Sequence, residues 1–219
     1  MLGSRTIEDR LREEYFDLLP EIRRTALETE TRVRRDLLDI SLKLERYERL
    51  LITSRVKECE SAVDALRRRQ LLGAWDEERP HDYSLTQLPD LAAIRVMAFP
   101  RQRLLDVEAV VRQTLSSWTA DPVPPIDGLA VPLALKYFGR WSLDSRITAE
   151  VQIVSLLIGA FWEVEHDAIY KPNPNLHGVM RSASVIQPRD EVLRALERFG
   201  AAFEEAIAGS EGSSTTSSG

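Results

Sequence analysis

The sequence predicts an α+β domain in which a mixed β-sheet is flanked by helices and preceded by a long helical N-terminal arm. Apolar residues recur at helical spacing through roughly the first seventy residues. Short β-compatible apolar segments follow in the middle of the chain, and helix-period segments lie between and after them. The order is therefore a helical arm, a strand, a helix, further strands, a helix and a closing helix.

The N-terminal arm is expected to be helical almost throughout residues 6–72, with an interruption near Pro20. Proline fits the first turn of a second helix because its missing N–H has no partner there. An apolar stripe at steps of three, four or seven consists of Ile22, Ala26, Val33, Leu37, Ile40, Leu44, Tyr47 and Leu51. This face is expected to cover the core, and a self-association surface is the alternative.

The segment after Gly73 is polar and turn-rich, and a strand is predicted over residues 91–99. A crossover helix is expected over residues 103–118, and the proline-rich segment 121–125 ends it. The remaining elements are predicted as two strands over residues 130–138 and 146–154, a helix over about 155–171 and a last helix over about 189–208. Pro132 indicates that the first of these two strands is an edge strand or is interrupted.

Composition favours one domain over residues 1–208, followed by a disordered Gly/Ser/Thr tail over 209–219. No long apolar run or signal-peptide pattern is present, so a cytoplasmic location without membrane contact is expected. The only cysteine, Cys59, excludes an internal disulfide, and three scattered histidines give no zinc-ligand spacing. The net charge of −6 argues against a general nucleic-acid binder.

Two segments carry candidate catalytic carboxylates. The strand period places Thr148, Glu150 and Gln152 on one face of the strand predicted over residues 146–154. That polar face either meets solvent or forms a site. Asp90 follows a proline at the start of another predicted strand, where it is either a turn residue or a ligand. Together, two carboxylates at neighbouring strand ends are able to hold a Mg²⁺ whose other ligands are water and substrate phosphates.

A basic stripe accompanies these carboxylates. Helical spacing would place Lys57, Ser61, Ala65 and Arg68 along one side of the arm, near a run of three arginines at residues 67–69. A triphosphate needs such cations. The alternative is a charged helix face that meets only solvent.

These segments resemble the synthetase domain of the RelA/SpoT family over roughly residues 40–172. Arg55, Lys57 and Ser61 match its helical Arg-x-Lys-x-x-x-Ser motif. Asp90, Ile94 and Arg95 match its Asp-x-x-Gly-Ile-Arg strand, with Ala93 in place of the glycine. Glu150 and Gln152 match its Glu-x-Gln strand, and the helix that follows is matched at Trp162, Glu165, His166, Tyr170 and Lys171. The resemblance implies a nucleotidyltransferase-like synthetase fold that moves pyrophosphate from ATP to a guanine nucleotide. It assigns Mg²⁺ to Asp90 and Glu150. It assigns ATP contacts to the basic segment, with Arg95 and Gln152 completing the nucleotide site. His166 is interpreted as structural.

The acceptor motif of that family, Gly-Tyr-x-Ser-x-His, falls on residues 128–133, where only Gly128 matches. The stacking aromatic is Leu129, the serine is Val131 and the histidine is Leu133. On the ATP side, Ala65 and Val154 stand where the family has Lys and Arg. A guanine site without its ring and polar contacts loses affinity and positioning.

Two functions follow as hypotheses. The first is a Mg²⁺-dependent pyrophosphotransferase that uses ATP and a nucleotide acceptor, GDP or GTP by resemblance, with an RNA end not excluded. The second is a catalytically degenerate pseudo-synthetase that acts as a nucleotide-binding, regulatory or antitoxin-like protein, with a protein partner or a homo-oligomer as its context.

Overall fold

A computed structural model describes residues 6–70, 73–127, 129, 132–165 and 182–214. The described helices are α1 (Ile7–Asp36), α2 (Leu38–Leu42), α3 (Cys59–Arg68), α4 (Arg101–Thr114), α5 (Leu156–Glu165) and α6 (Ala183–Ser214). The strands are β1 (Arg49–Val56), β2 (Ala92–Phe99), β3 (Thr119–Val123), β4 (Ala134–Gly139) and β5 (Ala149–Ser155). The predicted α+β class is confirmed.

The five strands form one mixed sheet in the order β1-β2-β5-β4-β3. Strands β2 and β5 run parallel, and every other neighbouring pair is antiparallel. The parallel connection contains α4, as a crossover between parallel strands requires. The two central strands begin at the same end of the sheet, where Ala92 of β2 lies beside Ala149 of β5.

The two faces of the sheet bury different clusters. One face carries Ile94, Val96 and Val151, and it packs against α1, α3 and α4 in the main core. The opposite face is apolar at the later residues of the central strands, where Met97 and Val154 pack with Ile158 of α5 and Leu193 of α6. The earlier residues of those strands carry polar side chains on this second face, because successive side chains alternate across a strand.

Helix α1 begins at the N-cap Thr6, whose hydroxyl accepts a hydrogen bond from the backbone N–H of Asp9. Contrary to the expected interruption, the helix continues through Pro20 to Asp36. Leu18 and Ile22, on either side of the proline, are both fully buried in the main core. Packing of one continuous face therefore outweighs the hydrogen bond that proline removes.

The prediction of helix across residues 49–56 was wrong, because this segment is the edge strand β1. Strand β3 was also missed: it contains Pro122, which an edge strand tolerates. Pro132 lies before β4 rather than inside it.

Helix α6 runs through Ser214, beyond the expected end near residue 208 and into the segment expected as a tail. Of its apolar residues, Leu193 is buried, whereas Val192 and Phe199 are exposed.

No helix in the described part of the chain is long and apolar enough to cross a membrane.

Candidate functional site

A polar cluster lies on the second face of the sheet, around the first residues of the two central strands. The parallel register pairs Arg95 of β2 with Gln152 of β5 and Ala93 with Glu150. The antiparallel register adds Arg55 of β1 beside Ala93. Lys136 of β4 lies beside Gln152. We call Arg55, Arg95, Lys136, Glu150 and Gln152 the strand cluster.

Arg95 is the central cation of the strand cluster. Its Nε donates a hydrogen bond to Oε1 of Gln152 over 2.8 Å, so the amide fixes the plane of the guanidinium. Its NH1 lies 3.4 Å from a carboxylate oxygen of Glu163 on α5. Arg95 and Gln152 were predicted to belong to one nucleotide site, and the structure brings their side chains into direct contact.

The surroundings of Arg95 disfavour its positive charge. Burial lowers the pKa of Arg95, and the positive charge of Arg55 lowers it further, whereas Glu163 and Glu150 act in the opposite direction. Arg55 and Arg95 are on neighbouring strands and on the same sheet face. Two guanidinium groups are thus held close enough to repel each other, an arrangement that an anion would stabilise.

Glu150 is buried at the second residue of β5, with 8% of its surface exposed. The ammonium of Lys136 lies 3.6 Å from its Oε2. Phe138 of β4 lies directly opposite Glu150 in the register and is half-buried. Glu150 is therefore a carboxylate in a partly dry environment, compensated by the ammonium of Lys136 and by the nearby charge of Arg95.

Asp90 lies in the turn immediately before β2, at the same end of the sheet as Glu150. Its Oδ2 forms an ion pair with the ammonium of Lys57 over 2.7 Å. Its Oδ1 is buried and has no hydrogen-bond partner among the described residues. A buried carboxylate oxygen without a partner is costly, so this atom is a candidate ligand for a cation.

The other predicted phosphate contacts occupy different surroundings from those expected. Arg55 belongs to β1 and Lys57 to the segment that joins β1 to α3, so neither lies on a helix. Ser61 is exposed on α3. Arg68, also exposed on α3, has its Nε 3.4 Å from Asp64. The predicted helical stripe is therefore wrong for Lys57, and the structure brings Lys57 to Asp90 instead.

The acceptor-motif positions that the structure describes are apolar and packed. Leu133 is buried in the cluster with Met97, Val154 and Leu193, and Leu129 packs against the same cluster. Leu133 also lines an apolar cavity of about 210 Å³ between α4 and α6. Tyr137, the aromatic residue that follows the acceptor segment in the sequence, is buried in the main core on the opposite face. It does not reach the strand cluster.

Two of the motif residues in the helix that follows β5 are described. Trp162 packs against the second apolar cluster. Glu165 forms an ion pair with Arg189 of α6 over 2.6 Å, which ties α5 to α6. Gly128, Val131, His166, Tyr170 and Lys171 lie outside the described residues.

Two residues that contact the strand cluster match none of the sequence motifs. Lys136 follows the acceptor segment in the sequence, and its contact with Glu150 depends on the pairing of β4 with β5. Glu163 precedes the matched Glu165 by two residues and reaches Arg95 from α5. The sequence feature that identifies Lys136 is its alternation with the core residue Tyr137 in a predicted strand.

Comparison with known proteins gives a likeness in structure. No family model and no curated protein sequence matches the chain. The small alarmone synthetase 1 from Bacillus subtilis bound to its product pppGpp superposes with a TM-score of 0.63 at 14% identity, over 90% of this chain and 97% of that one. The same enzyme bound to AMPCPP gives 0.59 at 16% identity, over 91% and 98%.

A GTP pyrophosphokinase family protein from Streptococcus pneumoniae gives a TM-score of 0.57 at 19% identity, over 88% of this chain and 92% of that one. The chain therefore has the fold of the small alarmone synthetases, as the resemblance of its motifs implied.

Proposed function

We propose that this protein binds ATP at the strand cluster and, with Mg²⁺, transfers the β,γ-pyrophosphate of ATP to the hydroxyl of a nucleotide acceptor. The acceptor oxygen bonds to the β-phosphorus, the bond between the α- and β-phosphates breaks, and AMP and the hydroxyl proton are released. The observation that carries the proposal is that Arg55 and Arg95 lie on one sheet face, where the charge of Arg55 disfavours the charge of the buried Arg95. A polyphosphate would remove that repulsion, because its oxygens accept hydrogen bonds from both guanidinium groups.

The chain's own residues have distinct tasks in this proposal. Arg55 and Arg95 bind phosphate oxygens, and Gln152 holds the Arg95 guanidinium in one orientation. Lys57, next to Asp90, supplies a further cation at the same end of the sheet. Ser61 and Arg68 remain predicted contacts of the donor nucleotide. Fixed cations of this kind lower the barrier by positioning the phosphates and by stabilising the charge that develops during transfer.

The carboxylates fit a magnesium ion. Asp90 offers a buried Oδ1 that has no hydrogen-bond partner among the described residues, and Glu150 offers a mostly buried carboxylate near the same end of the sheet. No group of three or more His, Cys, Asp or Glu side chains suited to a metal occurs among the described residues. Magnesium commonly keeps several waters and takes one or two carboxylates plus substrate phosphates, so two carboxylates suffice. When bound, the ion would neutralise phosphate charge.

The likeness to solved structures supports a nucleotide ligand. A small alarmone synthetase with this fold was solved with AMPCPP and with its product pppGpp. For this chain the acceptor is proposed as GDP or GTP, which would yield guanosine tetraphosphate or pentaphosphate, the signals of the stringent response.

A second candidate is a pseudo-synthetase that binds a nucleotide without transferring pyrophosphate. The packing of Leu129 and Leu133 in the second apolar cluster favours it. These side chains offer a guanine base neither a stacking ring nor a hydrogen bond. In this candidate, the donor contacts remain and the acceptor contacts do not.

The deciding experiment incubates the protein with Mg²⁺, ATP labelled on its terminal phosphate and a panel of acceptors that includes GDP, GTP, AMP and tRNA. A labelled acceptor that is lost with Asp90→Asn and with Glu150→Gln supports transfer. Unchanged labelling by both variants would contradict the assigned roles of the two carboxylates.

Calorimetry with AMPCPP, whose methylene bridge resists cleavage, then separates the two candidates. Binding without transfer to any acceptor supports the pseudo-synthetase. Absence of both binding and transfer would reject a nucleotide function at the strand cluster. Lys43→Met is a suitable control in both assays, since Lys43 is exposed at the end of α2 and belongs to no strand.

A further inference from the structure

Lys136 is placed by the sheet to act on Glu150. In the antiparallel register of β4 and β5, Lys136 lies beside Gln152 and Phe138 lies beside Glu150. Lys136 and Glu150 are thus diagonal neighbours on one face, within reach of a long side chain. The ammonium lies 3.6 Å from Oε2 of Glu150, and both side chains are largely withdrawn from solvent.

The two candidate metal-binding carboxylates differ in how far neighbouring cations already neutralise them. Asp90 uses Oδ2 for Lys57 and keeps Oδ1 buried and without a partner in the described part of the chain. The charge of Glu150 is already compensated by Lys136, whose ammonium lies 3.6 Å from its Oε2, and by the nearby charge of Arg95. A divalent cation that approaches Glu150 meets a positive ammonium near the oxygen it would bind, and the two charges repel each other.

We infer that Lys136 competes with the divalent cation for Glu150 and so sets the metal affinity of the strand cluster. The inference concerns the proposed magnesium site and therefore rests on the proposed function. With the metal absent, the lysine holds the carboxylate in place. A metal ion that binds Oε2 of Glu150 displaces the ammonium from that oxygen.

The test measures metal binding alone, without nucleotide or activity. Mn²⁺ is the probe, because it binds oxygen ligands as Mg²⁺ does and its free form gives an electron paramagnetic resonance signal that is lost on binding. Lys136→Met keeps the aliphatic length and removes the charge. We expect it to bind Mn²⁺ about threefold more tightly than the wild type, or more, since the pair is partly screened by solvent.

Three controls make the result specific. Lys43→Met removes the same charge from an exposed residue at the end of α2, which belongs to no strand, and should leave Mn²⁺ affinity unchanged. Lys136→Arg keeps the charge and should stay near the wild-type affinity. In the Glu150→Gln background, Lys136→Met should give no gain, because the carboxylate for which the ammonium competes is absent.

Mn²⁺ affinity that is equal in the wild type and in Lys136→Met, including the case in which neither binds, would overturn the inference. A gain that persists in the Glu150→Gln background would also overturn it. Melting curves of each variant establish that the compared proteins are folded. Failure here leaves the transfer and AMPCPP assays unaffected, so it is distinguishable from failure of the proposed function.

Discussion

The ammonium of Lys57 lies 2.7 Å from Oδ2 of Asp90, which joins the segment after β1 to the turn before β2. The backbone supports the same junction, since the N–H of Lys57 donates to the carbonyl of Leu91 over 2.9 Å. Both side chains of the pair are mostly buried, with 14% and 21% of their surface exposed. Lys57 and Asp90 therefore hold the junction between β1 and β2 together, and both belong to the proposed donor site.

Lys57→Met is expected to lower the free energy of unfolding by about 1–2 kcal/mol, because it leaves the Asp90 carboxylate partly buried without its cation. Urea unfolding measures the loss. Asp90→Asn in the Lys57→Met background should recover part of it by removing the uncompensated charge. If the double variant is as unstable as the sum of the two single variants, the two residues do not act as a pair.

The sequence motifs identified many residues of the candidate site, but they did not predict all the strands that surround it. Arg95 and Gln152 were placed on strands by their apolar neighbours, and their contact follows once β2 and β5 are adjacent. Strand β1 was missed because Tyr47 and Leu51 extend the spacing of the preceding helix. Both are substantially exposed in the structure, so their spacing did not reflect burial. Here tertiary pairing decides between strand and helix.

Strand order was the information that the sequence lacked. Nothing local in Lys136 indicates that β4 pairs with β5, and the ion pair to Glu150 follows only from that pairing. The contact of Glu163 with Arg95 likewise requires α5 to pack over β2. Such contacts join residues far apart in the chain, which local periodicity does not report.

The indole of Trp141 is anchored to α1. Its Nε1 donates to Oγ1 of Thr29 over 2.8 Å, and Thr29 is fully buried. Thr29→Val should destabilise the protein by about 1–2 kcal/mol, because the indole N–H loses its acceptor inside the core. Thr31→Val is the matched control: Thr31 is exposed on the same helix and its hydroxyl bonds only the Leu27 carbonyl among the contacts described. Thermal melts with tryptophan fluorescence compare them, and equal losses would contradict the anchoring role.

Two glycines should respond in opposite directions to alanine. A methyl group on Gly139 would run into the Trp118 ring, whereas one on Gly200 in α6 meets nothing within 4 Å. Gly200→Ala should stabilise by about 0.5–1 kcal/mol because alanine restricts the unfolded chain and favours helix. Gly139→Ala should destabilise by about 1–3 kcal/mol, since a rigid ring must move. Both are read from unfolding midpoints, and two shifts of the same sign would be the unexpected result.

Protonation of Glu30, which links α1 to β1, should lower the free energy of unfolding in mild acid. Hydrogen bonds from Ser54 and then from Arg34 hold the pKa of Glu30 below its ordinary value of 4.5, against the opposing effect of burial. A lowered folded pKa means that the contribution is complete above the unfolded value and is lost as the pH falls through the folded value.

The difference in unfolding free energy between the wild type and Glu30→Gln should therefore shrink as the pH is lowered from about 6 to about 3. Ser54→Ala removes the leading donor and should reduce the same pH dependence. Denaturant titrations across this range provide the measurement. A difference that stays constant with pH would show that the ionisation of Glu30 is not coupled to folding.

Glu163 and a polyphosphate should compete for Arg95. The carboxylate of Glu163 lies 3.4 Å from Arg95 NH1 and is 48% exposed. Removal of its charge by Glu163→Gln should tighten AMPCPP binding about two- to fivefold, since exposed pairs contribute little. Glu165→Gln is the matched control on α5, because Glu165 faces Arg189 instead.

Arg95→Met should weaken AMPCPP binding at least about tenfold, because a charge-assisted contact to phosphate is lost and Gln152 loses its partner. In this variant Glu163→Gln should no longer tighten binding, since its effect depends on the Arg95 charge. Calorimetry at two salt concentrations tests both effects, and added salt should reduce the gain from Glu163→Gln. If Glu163→Gln still tightened binding without Arg95, the carboxylate would repel the phosphates directly, and Arg95 would not be the cation for which they compete.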